Sequence, residues 1–131
     1  MIYGVGTDVV ELARIRRLYQ RWGERAEQHI LTAGERQRLR LRRRDPARYL
    51  ALHFAAKEAV VKALGTGFTP RVTLHDVEVV PDSAGRPEVV FSPKGAAYVA
   101  ECGAGVAHLS LSDDAGIAVA FCVLMRREAS G

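Results

Sequence analysis

The sequence predicts an α+β domain, in which an antiparallel sheet packs with helices around one long central helix. The central helix is indicated by residues 50–67, where apolar side chains recur at spacings of three, four and seven: Leu50, Phe54, Val61 and Leu64. Alternating side chains and turn signals predict strands at five places: 2–7, 72–80, 86–91, 106–112 and 116–125. Several short strands with flanking helices in one chain are typical of this class.

Length and composition predict a single domain, 1–131, with a substantial buried core. The chain is 48% hydrophobic and 26% charged. No apolar run approaches the ~18 residues that a membrane span requires, and the N-terminus lacks the pattern of a secretory signal. We therefore expect a cytoplasmic protein with no membrane partner, in which Cys102 and Cys122 are buried thiols.

Asp8 stands where the first strand should end, just before a predicted helix. Aspartate is a preferred helix N-cap, and Glu11 follows three residues later as in a capping box. An acid at a strand end is equally well placed to bind a ligand. The local sequence leaves both roles open.

The next helix combines an apolar stripe of Leu12, Ile15 and Leu18 with a basic face. Four arginines at three- and four-residue steps form this basic face: Arg14, Arg17, Arg21 and Arg25. Residues 14–48 hold 12 arginines and 4 acids, a balance of +8, whereas the rest of the chain holds 7 basic and 11 acidic residues, a balance of −4. Such a surface attracts a polyanion, whether nucleic acid, membrane phosphate or an acidic protein.

Capping and proline signals predict where the other helices begin and end. They start helices at three places: Thr32, Asp45-Pro46 and Ser92-Pro93. The first of these is strengthened by Glu35, which completes a capping box. Gly65 and Gly67 end the central helix, because glycine accepts the left-handed conformation common at helix ends. The last helix runs to about Cys102.

Glu58 and Lys62 lie one turn apart on the central helix. Spacing alone is compatible with an ordinary ion pair on a solvated face or with part of a charged site. Gly4-Val5-Gly6 lacks the third glycine of a dinucleotide fingerprint, and Gly65-Thr66-Gly67 lacks the lysine of a P-loop. No Ser-His-Asp order stands out, so the chemistry must be sought in the carboxylates.

Four motifs follow one another along nearly the whole chain: Gly4-x-Gly6-x-Asp8-x-x-Glu11, Phe54-Ala55-x-Lys57-Glu58-Ala59-x-x-Lys62-Ala63-x-Gly65-Thr66-Gly67, Gly85-x-Pro87 and His108-x-Ser110-Leu111-Ser112. Together they resemble the holo-acyl-carrier-protein synthases, the small type of 4′-phosphopantetheinyl transferase. The first two motifs are specific, and the last two alone would be weak. The resemblance implies a pseudo-ferredoxin-like α+β fold and homotrimers with active sites at the subunit interfaces.

The resemblance also implies a reaction. Enzymes of this family transfer 4′-phosphopantetheine from coenzyme A to a serine of apo acyl carrier protein, using Mg²⁺, and release adenosine 3′,5′-bisphosphate. The expected protein is therefore a magnesium-dependent transferase of fatty acid biosynthesis and lipid metabolism, with coenzyme A as substrate and an acidic carrier protein as partner.

Family roles carry over to matching residues of this chain. Asp8 and Glu58 match the metal-binding acids, and carboxylates suit a hard cation such as Mg²⁺. Lys62 matches a lysine that neutralises the diphosphate, and Gly65-Thr66-Gly67 becomes a tight turn where the coenzyme can approach the backbone. His108 matches a histidine that contacts the coenzyme from a neighbouring subunit, and the basic face would dock the carrier protein. Glu58 or a metal-bound water would take the serine proton.

Two positions depart from the family pattern. His53 stands where many relatives have an arginine that helps to hold the coenzyme's phosphate, and Asp113 stands where many have a second histidine. A neutral imidazole is a weaker phosphate ligand than a guanidinium. We therefore expect another arginine to compensate, either Arg48 or one of those at 42–44. Lys57, inside the second motif, supports either the phosphate or the helix surface.

The competing class is a basic nucleic-acid-binding module, because the +8 segment is a plausible phosphate footprint. Only Tyr19, Trp22 and Tyr49 lie in or next to that segment, too few aromatic residues for a stacking platform. No helix-turn-helix or zinc pattern is present in the sequence. A non-catalytic relative is disfavoured because the acids and the lysine of the motifs are intact.

Overall fold

The computed structural model describes residues 1–42 and 45–128, so the arginines at 43 and 44 lie outside the described residues. The strands are β1 Ile2–Glu11, β2 Val77–Pro81, β3 Pro87–Phe91, β4 Ala104–Asp114 and β5 Ile117–Arg126. The α-helices are α1 Leu12–Trp22, α2 Glu24–Ile30, α3 Ala33–Arg42, α4 Pro46–Leu64 and α5 Pro93–Glu101. The strands form one antiparallel sheet in the order β1-β5-β4-β3-β2. The predicted α+β class is confirmed.

Helix α4 is the central helix, and it packs chiefly on β1 and β5. Small side chains make close packing possible, since Ala51, Ala55 and Ala59 are fully buried along it. The Asp45 side chain caps the first turn by accepting from the Ala47 backbone N–H at 3.1 Å. Gly65 ends the helix in the left-handed region at φ 87°, as its sequence position predicts.

Two glycines let β1 lie directly on α4. A Cβ atom at Gly4 would come within 2.1 Å of the Ala63 carbonyl oxygen, and one at Gly6 within 2.1 Å of the Ala59 carbonyl oxygen. Only glycine fits at such a distance from a helix backbone. This contact carries Asp8, two residues after Gly6 on the same face of β1, to the last turns of α4.

The structure corrects two local predictions near the strands. Strand β1 continues to Glu11, so Asp8 lies inside the strand, paired with Ala120, and does not cap α1. The predicted strand at 72–80 begins instead with a 3₁₀ helix, Leu74–Asp76. There the Thr73 hydroxyl accepts from the His75 backbone N–H, and the Asp76 carboxylate accepts from the Thr73 backbone N–H. This local capping box outweighs the alternating pattern.

The basic face is divided between two helices. Gly23, at φ 52°, ends α1 and starts α2, a helix that the sequence reading did not separate. Arg25 therefore lies on α2 rather than on the helix of the other three arginines.

Within the described ranges, no helix is long and apolar enough to cross a membrane.

Candidate active site

Lys62 and Asp8 meet where α4 packs against β1. The Lys62 ammonium donates to Asp8 Oδ1 at 3.0 Å and to the Thr7 carbonyl oxygen at 3.1 Å. The Asp8 side chain is mostly buried, whereas the Lys62 side chain is about half exposed. Among the described residues, Lys62 pairs with Asp8 and makes no ion pair with Glu58 within 4.0 Å. The four-residue spacing thus places Glu58 and Lys62 on one face of α4, but their side chains do not form an ion pair with each other.

Glu58 lies one turn before Lys62 and next to Asp8. Burial raises the pKa of the Glu58 carboxyl, the nearby Asp8 carboxylate raises it further, and Lys62 opposes both effects. A cation between the two carboxylates would relieve the repulsion that Asp8 exerts on the charged form of Glu58. We call Asp8, Glu58 and Lys62 the acidic half-site.

The donor set of the acidic half-site suits Mg²⁺. No cluster of three or more histidine, cysteine or acidic side chains that could enclose a metal occurs in the parts of the chain that the structure describes. Mg²⁺ does not need such a cage, because it commonly binds through one or two carboxylates, with water and substrate phosphates completing its shell. Asp8 and Glu58 are two carboxylates of that kind.

His108 lies on the opposite face of the sheet. It is exposed and pairs with Val123 on β5 and Glu88 on β3. Asp8 pairs with Ala120, which is buried against α4. Because successive residues of a strand point to opposite faces, one chain keeps His108 away from the acidic half-site.

The third and fourth sequence motifs meet beside His108. A groove of about 700 Å³ between β3 and β4 is lined by Arg86, Pro87, Glu88, His108 and Ser110, among others. We call these five residues the histidine groove. The spacing of the two motifs gave no indication of this contact, which arises because β3 and β4 are neighbours in the sheet.

The glycine turn after α4 is open to solvent. Gly65 and Gly67 have positive φ angles of 87° and 65°, and no atom of the described residues lies within 4 Å of a Cβ built at either position. The Thr66 hydroxyl donates to the Gly67 carbonyl oxygen at 2.8 Å. These glycines serve the backbone conformation, and they leave the turn accessible to a ligand.

The basic face borders an apolar groove that was not predicted from the sequence. All four arginines of the face are exposed. The groove has a volume of about 580 Å³, and its apolar lining includes Ile15, Leu18, Ile30 and Phe54. Trp22, 44% exposed, lies at this groove with the guanidinium carbons of Arg21 and Arg25 at 5.1 and 5.7 Å from its ring. Trp22, standing among the arginines of the basic face, was the one sequence feature that could have indicated this groove.

The two departures from the family pattern have structural roles here. His53 Nδ1 lies 2.8 Å from the Tyr49 carbonyl oxygen, and the two rings stack at 3.9 Å. Burial lowers the pKa of His53, an effect that Glu35 opposes, so the imidazole is neutral at pH 7. Arg48 forms a two-point pair with Asp113, with Nε–Oδ2 and Nη2–Oδ1 distances of 2.7 and 2.8 Å.

The guanidinium of Arg48 is therefore already occupied by a carboxylate. Next to it, Arg38, Arg42 and His53 line a cavity of about 290 Å³. Arg38 is also engaged, donating to the Val79 carbonyl oxygen at 3.1 Å. Within the described residues, Arg42 is therefore the remaining candidate to replace the arginine missing at His53.

Comparison with known proteins identifies the family. A sequence model of the 4′-phosphopantetheinyl transferase superfamily matches residues 4–122. Because the match spans most of the chain, the chain belongs to this superfamily. The resemblance drawn from its motifs is confirmed.

Relatives within the superfamily are more specific. A holo-[acyl-carrier-protein] synthase from Aromatoleum aromaticum is 46% identical over 127 residues, covering 97% of this chain and 100% of the relative. The crystal structure of a holo-[acyl-carrier-protein] synthase from Neisseria meningitidis aligns with a TM-score of 0.90 at 38% identity, covering 96% of this chain and 100% of that one. A synthase from Bacillus anthracis in complex with CoA (3′,5′-ADP) aligns with a TM-score of 0.78 at 33% identity, covering 97% and 99%. A transferase is thus supported over a nucleic-acid-binding module.

Proposed function

We propose that this chain transfers 4′-phosphopantetheine from coenzyme A to a serine of apo acyl carrier protein, releasing adenosine 3′,5′-bisphosphate. The observation that carries the proposal is the convergence of Asp8, Glu58 and Lys62 in a chain of this superfamily. The reaction would serve fatty acid biosynthesis and lipid metabolism in the cytoplasm.

Each residue of the acidic half-site would have its own role in phosphoryl transfer. Asp8 and Glu58 would hold Mg²⁺, which when bound supplies Lewis-acid neutralisation of the diphosphate. Lys62, half exposed and already close to Asp8, would place its ammonium on the same diphosphate. Positioning and charge neutralisation do most of the catalysis in such reactions. Glu58, or a water on the bound ion, would accept the serine proton.

The coenzyme would also contact elements outside the acidic half-site. The open turn at Gly65, Thr66 and Gly67 follows directly from α4 and offers exposed backbone. His108 and its histidine groove would provide the second wall. One chain holds these walls on opposite faces of its sheet, so a second copy has to supply the groove.

The outer face of the sheet is suited to contact that second copy. Val5 and Val9 of β1 are 55% and 62% exposed, and Val119 and Phe121 of β5 are 38% and 43% exposed. A contiguous apolar patch of this kind on a folded domain marks an interaction surface. We assign it to a homotrimer, in which each His108 reaches the acidic half-site of a neighbouring chain.

The basic face is proposed to dock the carrier protein. Arg14, Arg17 and Arg21 on α1 and Arg25 on α2 would pair with acids of the partner, while the apolar groove beside Trp22 accepts one of its apolar side chains. Charge complementarity of this kind speeds encounter and sets orientation.

Mass spectrometry of an apo carrier protein incubated with coenzyme A, Mg²⁺ and the purified chain tests the proposal. The expected result is one added phosphopantetheine per carrier, lost in excess EDTA and lost with Asp8→Ala, while the variant still unfolds cooperatively. Glu101→Ala, at an exposed ion pair with Arg71 outside the acidic half-site, the histidine groove and the basic face, serves as a folded control that keeps the metal requirement. No mass increase with any apo carrier tested would contradict the transferase, and salt-dependent binding of random duplex DNA in its place would support the competing class.

A further inference from the structure

Lys57 and Glu35 form a fully buried ion pair. Both side chains have 0% exposure, and Lys57 Nζ lies 2.6 Å from Glu35 Oε1. The same ammonium donates to the Ile30 carbonyl oxygen at 2.7 Å and to the Leu74 carbonyl oxygen at 2.9 Å. All three of its hydrogens are used, so Lys57 has none left for a phosphate and does not lie on the helix surface. Both roles predicted for it from the sequence are therefore wrong.

Both carboxylate oxygens of Glu35 also accept hydrogen bonds from the backbone. Its Oε1 accepts from the Thr32 backbone N–H and its Oε2 from the Val79 backbone N–H, each at 2.8 Å. Through these bonds the pair joins α4 to the end of α2, the start of α3, the 3₁₀ helix and β2. Four other segments are thus tied to α4 through this one ion pair.

A contribution to stability alone is a weak explanation for this arrangement. Burial lowers the pKa of Lys57, and Glu35 opposes that change. Removing two charges from water costs so much that an apolar pair of similar volume is often as stable or more stable. What an ion pair adds over an apolar pair is a fixed geometry, because its hydrogen bonds are directional.

The position of Lys57 makes that geometry relevant to the acidic half-site. Lys57 directly precedes Glu58, and consecutive residues of an α-helix point about 100° apart, so one faces the buried pair and the other faces β1. On the β1 side, α4 contacts Gly4 and Gly6 and is bonded to Asp8 and Thr7 through Lys62, which belongs to the half-site itself. The buried pair therefore adds directional bonds to α4 from outside that site.

We propose that Lys57 is a positioning residue, which with Glu35 holds α4 at the rotation and height that place Glu58 beside Asp8. The inference rests on the proposed function of the acidic half-site as a metal site. Its consequence is that the pair sets metal affinity without touching the metal.

The test uses the full-length double variant Lys57→Met with Glu35→Gln, which removes both charges together and leaves neither buried alone. Binding of Mn²⁺, followed by electron paramagnetic resonance of the free ion, is measured beside thermal unfolding and the kcat and KM of transfer. Val99→Ala is the matched control, because Val99 is buried on α5, which packs on β3, β4 and the 3₁₀ helix. We expect Mn²⁺ affinity to fall about tenfold or more in the double variant, as for other residues that orient metal ligands, and to stay unchanged in Val99→Ala.

Unchanged Mn²⁺ affinity in a folded double variant would overturn the inference. If the double variant does not fold, Lys57→Arg decides by the same measurement, since its planar guanidinium keeps the charge but cannot reproduce the three directions of the ammonium. Wild-type protein that fails to bind Mn²⁺ would instead contradict the proposed metal site itself, so the two failures are distinguishable.

Discussion

Asp76 is a buried carboxylate outside the acidic half-site, and the fold depends on its charge. Burial disfavours ionisation, but hydrogen bonds from Ser92, Thr73 and Lys94 outweigh it and lower the pKa of Asp76 to about 2. A lowered pKa in the folded state means that ionised Asp76 stabilises the fold above the unfolded value of 3.8, and that this contribution is lost as pH falls toward 2.

Asp76→Asn should therefore lower the free energy of unfolding by about 2 kcal/mol at pH 7, the scale of hydrogen bonds to a charged group. The difference from wild type should shrink as the pH is lowered from about 4 toward 2. Urea denaturation at a series of pH values measures both effects. Glu101→Gln, at a side chain that is 61% exposed and whose pKa is lowered by Arg71, is the control for a carboxylate of lowered pKa on the surface. A difference between Asp76→Asn and wild type that does not change with pH would contradict the role of the charge.

The grouping of three residues in the acidic half-site was predictable because motifs contain them. Asp8, Glu58 and Lys62 were selected from the sequence, and the structure brings them together. The hydrogen bonds in and around this site were not predictable, because Lys62 bonds to Asp8 across 54 positions and Arg48 pairs with Asp113 across 65 positions. Such contacts depend on how strands and helices meet, which local spacing does not contain.

At the scale of elements, the contact between β1 and α4 builds the acidic half-site. Gly6→Ala would force its Cβ against the Ala59 carbonyl oxygen, so β1 and α4 must separate. We expect a loss of about 1–3 kcal/mol in the free energy of unfolding, the usual cost of overpacking. We also expect that a higher Mg²⁺ concentration is needed for half-maximal transfer. Gly105→Ala is the control, because a Cβ there would have its nearest neighbour at 3.4 Å. Equal stability of the two variants in guanidinium denaturation would show that the close contact is not required.

Elements were predicted well where caps and breakers act locally. The limits of α4 follow from Asp45, Pro46 and Gly65, and the start of α5 follows from Ser92, whose hydroxyl accepts from the Gly95 N–H at 3.0 Å. Boundaries failed where two signals competed. The alternation at 72–80 suggested a strand throughout, while Thr73 and Asp76 made a turn of helix first. Strand β1 extends beyond its predicted end because its pairing with β5 continues to Glu11 and Ile117.

At the scale of the whole molecule, the acidic half-site and the histidine groove lie on opposite faces of one sheet. Neither the motifs nor their spacing indicate this separation, since it depends on strand order and register. Under the role proposed for His108, catalysis would require the proposed homotrimer. A single chain has both halves but cannot bring them together.

Two inactive variants should therefore restore each other's activity. Asp8→Ala retains an intact histidine groove, and His108→Ala retains an intact acidic half-site. After mixing in equal amounts and exchange of subunits through mild denaturation, about one quarter of the interfacial sites of a cyclic trimer should contain both intact halves. Transfer to carrier protein should return to about that fraction of the wild-type rate, while each variant treated alone stays inactive. Recovery would be absent if each chain built its site alone, and size-exclusion chromatography with light scattering would then show whether the trimer forms.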